Sequence, residues 1–347
     1  MFPILAPSVK LKPDTKRIFI GAYGSEERSL GWLLFHQGEG AILDNAFMFR
    51  YRHTKGNRNR IAEIRKALTA IGAAIPINII YDARSPFRIE DSVAKHFQPL
   101  ISSATEIVLD ISAMTKLLIL VSLCELHKFV GTLRIVYSEA QDYVPSREDY
   151  EKAKEGMELI AKYPSRGFQS VIRTKCLSSI RMQGQPITLV AFTSFNEQLV
   201  RHMLGTLSPH RLLFINGRPP RNDYEWREWA TQEIHQKIIE QYLFDNPLDN
   251  NGHLTRVSST LNYIETIHQF ERIYKQYGNY ERLICAATGS KMQTLGLFFA
   301  KVLHPDIHIE YPTPDSYFVK GASEGIRKVH EIVFPRFSDF LASLHQK

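Results

Sequence analysis

Short apolar runs recur along this chain, and each is followed by a stretch whose apolar positions return every three or four residues. Residues 17–20, 41–48, 77–81, 107–109 and 133–137 are runs of the first kind and predict strands. Residues 26–33, 60–71, 90–100 and 116–129 are of the second kind and predict helices. From about residue 185 the order begins again. Residues 187–192, 211–215, 253–258, 282–286 and 307–311 predict strands, with helices at 197–203, 226–244, 263–277 and 291–302. Mostly apolar strands that alternate with helices predict parallel sheets covered on both faces. Residues 146–163 predict a charged surface helix, and 168–181 one or two added strands. Residues 329–334 predict a last strand before a C-terminal helix.

The second round follows the first at a near-constant spacing. Glu27 falls on Glu197 at an offset of 170, and Lys116 on Lys291 at 175. Tyr137 falls on Tyr311 and Tyr143 on Tyr317, both at 174. Such spacing predicts an internal duplication. The expected class is therefore α/β, with two tandem Rossmann-like parallel-sheet domains. These would span 1–145 and 185–347, with a helix and linker or added strands at 146–184.

Composition narrows the partners. The chain has 347 residues, 44% of them hydrophobic, and a formal net charge of +7. That suits phosphate-bearing ligands without the density of a polybasic tail. Cys124, Cys176 and Cys285 are scattered and form no pair at metal or disulfide spacing, which fits a reducing compartment. The N-terminal residues lack a secretory h-region, and no run nears the ~20 apolar residues that span a bilayer. A cytoplasmic protein without membrane attachment is expected.

Ligands of open parallel sheets bind outside the carboxyl ends of the strands, near the point where strand order reverses. The loops there are 21–27, 82–86, 110–116 and 137–143, with counterparts 193–197, 258–260, 288–291 and 311–317. Two of them share a grammar. Asp110-Ile111-Ser112-Ala113-Met114-Thr115-Lys116 joins an apolar strand to an apolar helix, and Thr288-Gly289-Ser290-Lys291 does the same downstream. A lysine in a helix's first turn opposes the helix dipole by roughly 0.3–1 kcal/mol, so two in matching places suggest a bound anion. Well-capped turns with solvated lysines are the bland alternative. Asp110 suits binding a ribose hydroxyl, acting as a general base or capping the turn; counted back from the lysines, its counterpart is Cys285. Gly21, Ser25 and Glu27 in the first loop, with Thr193 and Glu197 in its counterpart, complete the candidate binding set. Ser25 is placed as a helix N-cap. The rings of Tyr23, Tyr143 and Tyr317 are placed to stack on a base or to pack at the sheet rim.

The run from Arg50 to Arg60 is the densest basic segment and suits a nucleic-acid backbone or a solvated loop equally. No G-x-G-x-x-G follows the first strand, and no G-x-x-x-x-G-K-[ST] or G-x-S-x-G occurs. No metal set is expected: His304, His308 and Glu310 fit a strand edge better. No cofactor is indicated, and catalytic residues are not assigned.

Asp110, Ser112, Thr115 and Lys116 between an apolar strand and an apolar helix resemble the signature of CARF domains, the CRISPR-associated Rossmann folds. That family carries a D-x-[ST]-G-G-T-K-like turn after its fourth strand, and residues 288–291 are a looser second copy. Two fused copies are similar to the SAVED arrangement, whose tandem CARF-like units sense cyclic oligonucleotides. The resemblance spans about 17–143 and 185–317. It departs at Ala113-Met114, where the family has two glycines, and at Cys285, where the family has aspartate. It implies an antiviral-defence protein that senses a nucleotide-type signal between its two halves. Lys116 and Lys291 would neutralise phosphates, and Ser112, Thr115, Thr288 and Ser290 would donate hydrogen bonds. A separate effector or complex partner would act on the signal. As alternatives the family admits a metal-independent ring nuclease that cleaves its ligand, or a non-catalytic scaffold subunit of a defence complex.

Overall fold

The structure, a computed structural model, describes residues 1–52, 60–73, 75–82, 85, 88–154, 163–317 and 322–345. Most of the basic run, residues 53–59, lies outside the described residues, as do parts of the expected 82–86 loop and of the expected 146–163 helix. Among the described residues, twelve strands of three residues or more carry the two main sheets. They are β1 (Arg17–Ala22), β2 (Asn45–Tyr51), β3 (Ile77–Tyr81), β4 (Glu106–Asp110), β5 (Thr132–Glu139), β6 (Ile187–Phe192), β7 (Arg211–Arg218), β8 (Val257–Ser259), β9 (Arg282–Ala286), β10 (His308–Thr313) and β11 (Lys328–Phe334), with one further short strand, Ser170–Ile172. The helices are α1 (Gly31–Phe35), α2 (Ile61–Ala70), α3 (Ile89–Ser103), α4 (Lys116–Glu125), α5 (Arg147–Lys154), α6 (Gln198–Leu207), α7 (Trp226–Ile234), α8 (Gln236–Gln241), α9 (Tyr263–Ile273), α10 (Lys291–Leu303) and α11 (Phe337–Leu344).

The chain divides into two compact units. One is Met1–Val144 with Val319–Lys347, and the other is Pro145–Phe318. The first unit holds a seven-stranded sheet in the order Ala6–Pro7, β11, β5, β4, β1, β2, β3. The second holds a six-stranded sheet in the order β8, β7, β6, β9, β10, Ser170–Ile172. In each, five parallel strands run 3-2-1-4-5 and one antiparallel strand lies against the fifth. Both units are therefore Rossmann-like. Right-handed crossovers put α1 and α2 on one face of the first sheet, and α3 and α4 on the other.

The antiparallel sixth strands enter from opposite directions in the chain. In the first unit β11 follows the five parallel strands; in the second, Ser170–Ile172 precedes them. Each is led in by a two-residue strand and a glycine in the left-handed region: Ser323–Glu324 with Gly325 (φ 66°), and Ser165–Arg166 with Gly167 (φ 65°). A side chain at either glycine would strain that turn. The segment 185–347, expected as one domain, is thus split by these contacts, and β11 and α11 sit in the first unit.

Burial explains the helices better than propensity does. In α4, Leu117 to Leu123 are all buried, which fits a helix apolar on every side. Phe19, Trp32, Met48, Ile64, Leu68, Val108 and Val136 build the core beneath α1 and α2. Several boundaries differ from the periodicity. The 41–48 run starts late as a strand because the Ile42 and Leu43 N–H groups both donate to the Ile71 carbonyl. The 226–244 helix breaks at His235, whose carbonyl accepts from both Ile238 and Ile239.

A chain of buried ions crosses the lower end of the first sheet. Glu106 on β4 lies 2.7 Å from Arg17 on β1 and 2.7 Å from Arg134 on β5, and Arg134 reaches Glu331 on β11 at 2.7 Å. Ser8 donates to Glu331 at 2.8 Å.

Two buried histidines make stability acid-sensitive. His36 packs on Trp32 and Phe35, and neither ring nitrogen has a hydrogen-bond partner. His235 sits edge-on to Phe214. Burial lowers each to about 4. Above pH 6.5 folded and unfolded chains are both neutral there; below it only the unfolded chain takes up protons, until the folded groups titrate near 4. Stability should therefore fall as pH drops from about 6.5 to 4, by on the order of 3 kcal/mol per histidine. Urea melts across that range test this, and a flat profile would refute it.

Candidate functional site

In both sheets the strand order reverses between the first and fourth parallel strands, so the crevice lies above β1/β4 and above β6/β9. In the first unit the turn after β4 is stitched internally. The Asp110 carboxylate accepts the Ser112 N–H at 2.8 Å, and Ser112 Oγ accepts the Ser138 N–H at 2.8 Å. Thr115 caps α4, its Oγ1 accepting the Leu118 N–H at 3.4 Å. Lys116 is the first helical residue, half-buried, and burial lowers its ammonium to about 8.

Tyr51, at the end of β2, locks this turn from outside. Its hydroxyl accepts the Thr115 N–H at 3.0 Å and donates to the Ala113 carbonyl at 2.8 Å. Nothing local in the sequence marks Tyr51, because its partners lie more than sixty residues away. Tyr51→Phe should cost about 1–3 kcal/mol, since it strands a donor and an acceptor at a partly buried turn. Thermal melts test this; an unchanged melt would mean the turn holds without the hydroxyl. Ala113 also narrows the crevice, because a Cβ on Gly24 would lie 2.8 Å from the Ala113 Cβ.

The counterpart turn after β9 is held by other means. Thr288 Oγ1 accepts the Phe192 N–H at 2.9 Å and donates to the Phe192 carbonyl at 2.7 Å. Ser290 and Gln293 form a reciprocal capping box at the mouth of α10, and Ser290 Oγ also donates to the Thr260 carbonyl at 2.9 Å. Gln293 Nε2 donates to Ser258 Oγ at 3.0 Å. Lys291 is the first helical residue and half-buried, as Lys116 is. Register revises one correspondence. Asp110 lies opposite Val136 on β5, and Ala286 lies opposite Glu310 on β10. By sheet position Asp110 therefore matches Ala286, and the second turn is one residue shorter. Cys285 faces the core, where burial pushes its thiol up.

The loop after β1 is less open than its polarity suggests. Gly21 lies inside β1, fully buried. Ser25 is not a cap: the short helix begins at Glu27 with Glu26 before it, and Ser25 offers its carbonyl to Arg60 at 3.2 Å. Glu27 is exposed and pairs with Arg60 at 3.3 Å. Glu26 and buried Arg28 form a 2.5 Å ion pair. Arg28 reaches the Tyr137 hydroxyl at 3.4 Å, which meets the Tyr143 hydroxyl at 3.2 Å. Burial alone would lower the Arg28 pKa, but Glu26 and the two tyrosines hold it above its ordinary value. Glu26 also accepts the Ala322 N–H at 2.7 Å.

In the second unit Thr193 is buried and donates to the Asn216 side chain. Glu197 precedes α6 and pairs with Arg201 at 2.9 Å. Asn196 donates to the Gly167 carbonyl at 3.1 Å, and the Tyr311 and Tyr317 hydroxyls meet at 3.3 Å. Of the three tyrosines placed for stacking, Tyr23 is buried, Tyr143 half-buried and Tyr317 54% exposed. His308 and Glu310 lie 3.2 Å apart in β10, whereas His304 turns to Glu271 at 2.6 Å. Among the described residues no group of three or more His, Cys, Asp or Glu could hold a metal ion. Among them no helix is long and apolar enough to cross a membrane.

No family model matches the chain, and no curated protein matches it. Among solved structures it is similar to a type III CRISPR defence DNA nuclease activated by cyclic oligoadenylate. That likeness has a TM-score of 0.49 and 9% identity, over 89% of this chain and 68% of the other. It is also similar to a protein assigned to the universal stress proteins of Pseudomonas aeruginosa UCBPP-PA14, at a TM-score of 0.25 and 8% identity, over 96% and 98% of the two chains. Neither likeness carries weight at these values.

Proposed function

We propose that the chain is a sensor of a nucleotide-type signal, a cyclic oligonucleotide in the terms of the CARF resemblance, that serves antiviral defence through a separate effector. The observation that carries this is the repeated switch-point turn. Each unit places a half-buried lysine on the first residue of a capped helix, where strand order reverses. A cation there opposes the helix dipole, and at Lys116 burial adds a desolvation cost. A phosphate at the helix mouth offsets both. In this reading Lys116 and Lys291 meet phosphates. Thr115 and Ser290 shape the helix mouths they cap, and Asp110, Ser112 and Thr288 hold the turns. Internal duplication is supported by the shared 3-2-1-4-5 order, the paired tyrosine hydroxyls and the glycine-led sixth strands.

Calorimetric titration with a panel of cyclic oligonucleotides tests the reading. A binder should appear, and Lys116→Ala and Lys291→Ala should each weaken it by roughly 10- to 100-fold, the loss of one charge-assisted phosphate contact. Lack of binding by every member of the panel would count against it. One observation favours a second reading, ligand cleavage. An amine titrating near 8 can exchange a proton close to neutral pH. Turnover in EDTA that rises with pH towards about 8, and disappears in Lys116→Ala, would select the metal-independent ring nuclease.

A further inference from the structure

We propose that Asn251-Gly252 is a self-modification site, where the chain deamidates through a cyclic imide and thereby loosens the loop that feeds β8. The chain holds two Asn-Gly pairs, Asn216-Gly217 and Asn251-Gly252. Both have the intrinsic reactivity of that dipeptide, because glycine has no Cβ to bar its nitrogen from the preceding side chain. The fold sets them apart.

Asn216-Gly217 is protected. Both residues lie in β7, opposite Val257 and Ser258 of β8, and Asn216 is 1% exposed. Its Oδ1 accepts the Gly217 N–H at 3.0 Å and the Thr231 hydroxyl at 3.2 Å, and its Nδ2 donates to the Glu228 carbonyl at 3.1 Å. Closing a ring there would turn the backbone away from the extended form and break the strand pair.

Asn251-Gly252 is open. Both residues are exposed, Gly252 has φ 80°, and a Cβ on it would meet nothing within 4 Å. The Asn251 N–H donates to Asp249 Oδ1 at 2.8 Å, and the Gly252 N–H to the Asp249 carbonyl at 3.0 Å. Among the described residues no hydrogen bond holds the Asn251 side-chain amide. Its Cγ is therefore free to swing onto the Gly252 nitrogen.

The Gly252 nitrogen, once its proton is lost to base, attacks Asn251 Cγ. The N–Cγ bond forms, the Cγ–Nδ2 bond breaks, and the nitrogen leaves as ammonia with a proton from water. A second water opens the imide. Opening at Cγ gives aspartate, and opening at the main-chain carbonyl gives isoaspartate, whose backbone is longer by a carbon. Nothing is oxidised or reduced.

Either product puts a new carboxylate two residues from Asp249. Isoaspartate also displaces the Gly252 carbonyl, which Gln232 of α7 holds. Gln232 Nε2 donates to that carbonyl at 2.7 Å, and its Oε1 accepts the Leu254 N–H at 2.8 Å. Leu254 is buried and lies three residues before β8, whose Ser258 supports Gln293 at the mouth of α10. The modification thus acts on the strand that braces the second turn.

The test ages the folded full chain for days in mildly alkaline buffer and reads tryptic peptides 212–221 and 238–256 by fragmentation mass spectrometry. Asn251 should convert to aspartate and isoaspartate at least roughly tenfold faster than Asn216, whose reaction needs β7 to open first. The rate should rise with pH, and in urea the two sites should converge. Amide exchange at Val257, Ser258 and Ser259 should quicken in the aged chain and stay unchanged in aged Asn251→Gln. Equal rates at the two sites in the folded chain, conversion confined to Asn246 or Asn250, or unaltered exchange in β8 after conversion would overturn the proposal. Should the variant misfold, fresh and aged samples of the unaltered chain decide alone.

Discussion

Replacing Glu106 by alanine should lower the stability of the Met1–Val144 unit by about 3–5 kcal/mol, the cost of breaking a buried ion pair from one side. Glu106 bridges Arg17 and Arg134, and all three side chains are at most 10% exposed. Without the carboxylate, two guanidiniums face each other in the sheet. Arg134 keeps Glu331, and Arg17 keeps the Ile42 carbonyl at 2.9 Å, but the shared counter-charge is gone. Glu106→Gln should fall between the two, because the amide still accepts a hydrogen bond without neutralising charge. Urea titration followed by hydrogen exchange of β4 and β5 amides separates this unit from the other. A loss below about 1 kcal/mol would mean that water already screens these charges.

A chain lacking Val319–Lys347 should lose the first unit and keep the second. The deletion removes β11, which pairs with β5 from Leu133 to Glu139 and also holds Ala6–Pro7. It removes Glu331 from Arg134, and both His330 and Arg327 from Glu139. It also takes away the buried side chains Val329, Ile332, Phe334 and Phe337. Those four alone are worth about 6–12 kcal/mol at 1.5–3 kcal/mol each, comparable with the whole stability of a domain. The second unit is continuous in sequence, carries its own sixth strand, and should persist as a protease-resistant core. If the truncated chain instead melts as one body at the full-length temperature, the division into units is not energetic.

Much of the fold was legible in the chain because it rests on local periodicity. Apolar runs located β3, β6, β9 and β10 closely, and the run after Lys116 announced a buried helix. The strand–turn–lysine–helix grammar was legible for the same reason: cap, lysine and apolar run lie within ten residues of one another. The site's support was not legible. Tyr51 reaches its turn across more than sixty residues, Arg28 meets Tyr137 across 109, and Glu26 accepts from Ala322 across 296. Ser25 looked like the cap because hydroxyls favour helix starts, yet the chain turns one residue later, beside Glu26.

By itself, then, the sequence determined the alternation of strands and helices, the two rounds of it, and the lysines at two helix mouths, all properties of neighbouring residues. Tertiary structure decided which strand lies beside which. It put β11 in the first unit and spent the turn hydroxyls on backbone groups. Those outcomes depend on register and burial between segments far apart in the chain, and a periodic pattern holds no record of which distant strand will satisfy its hydrogen bonds.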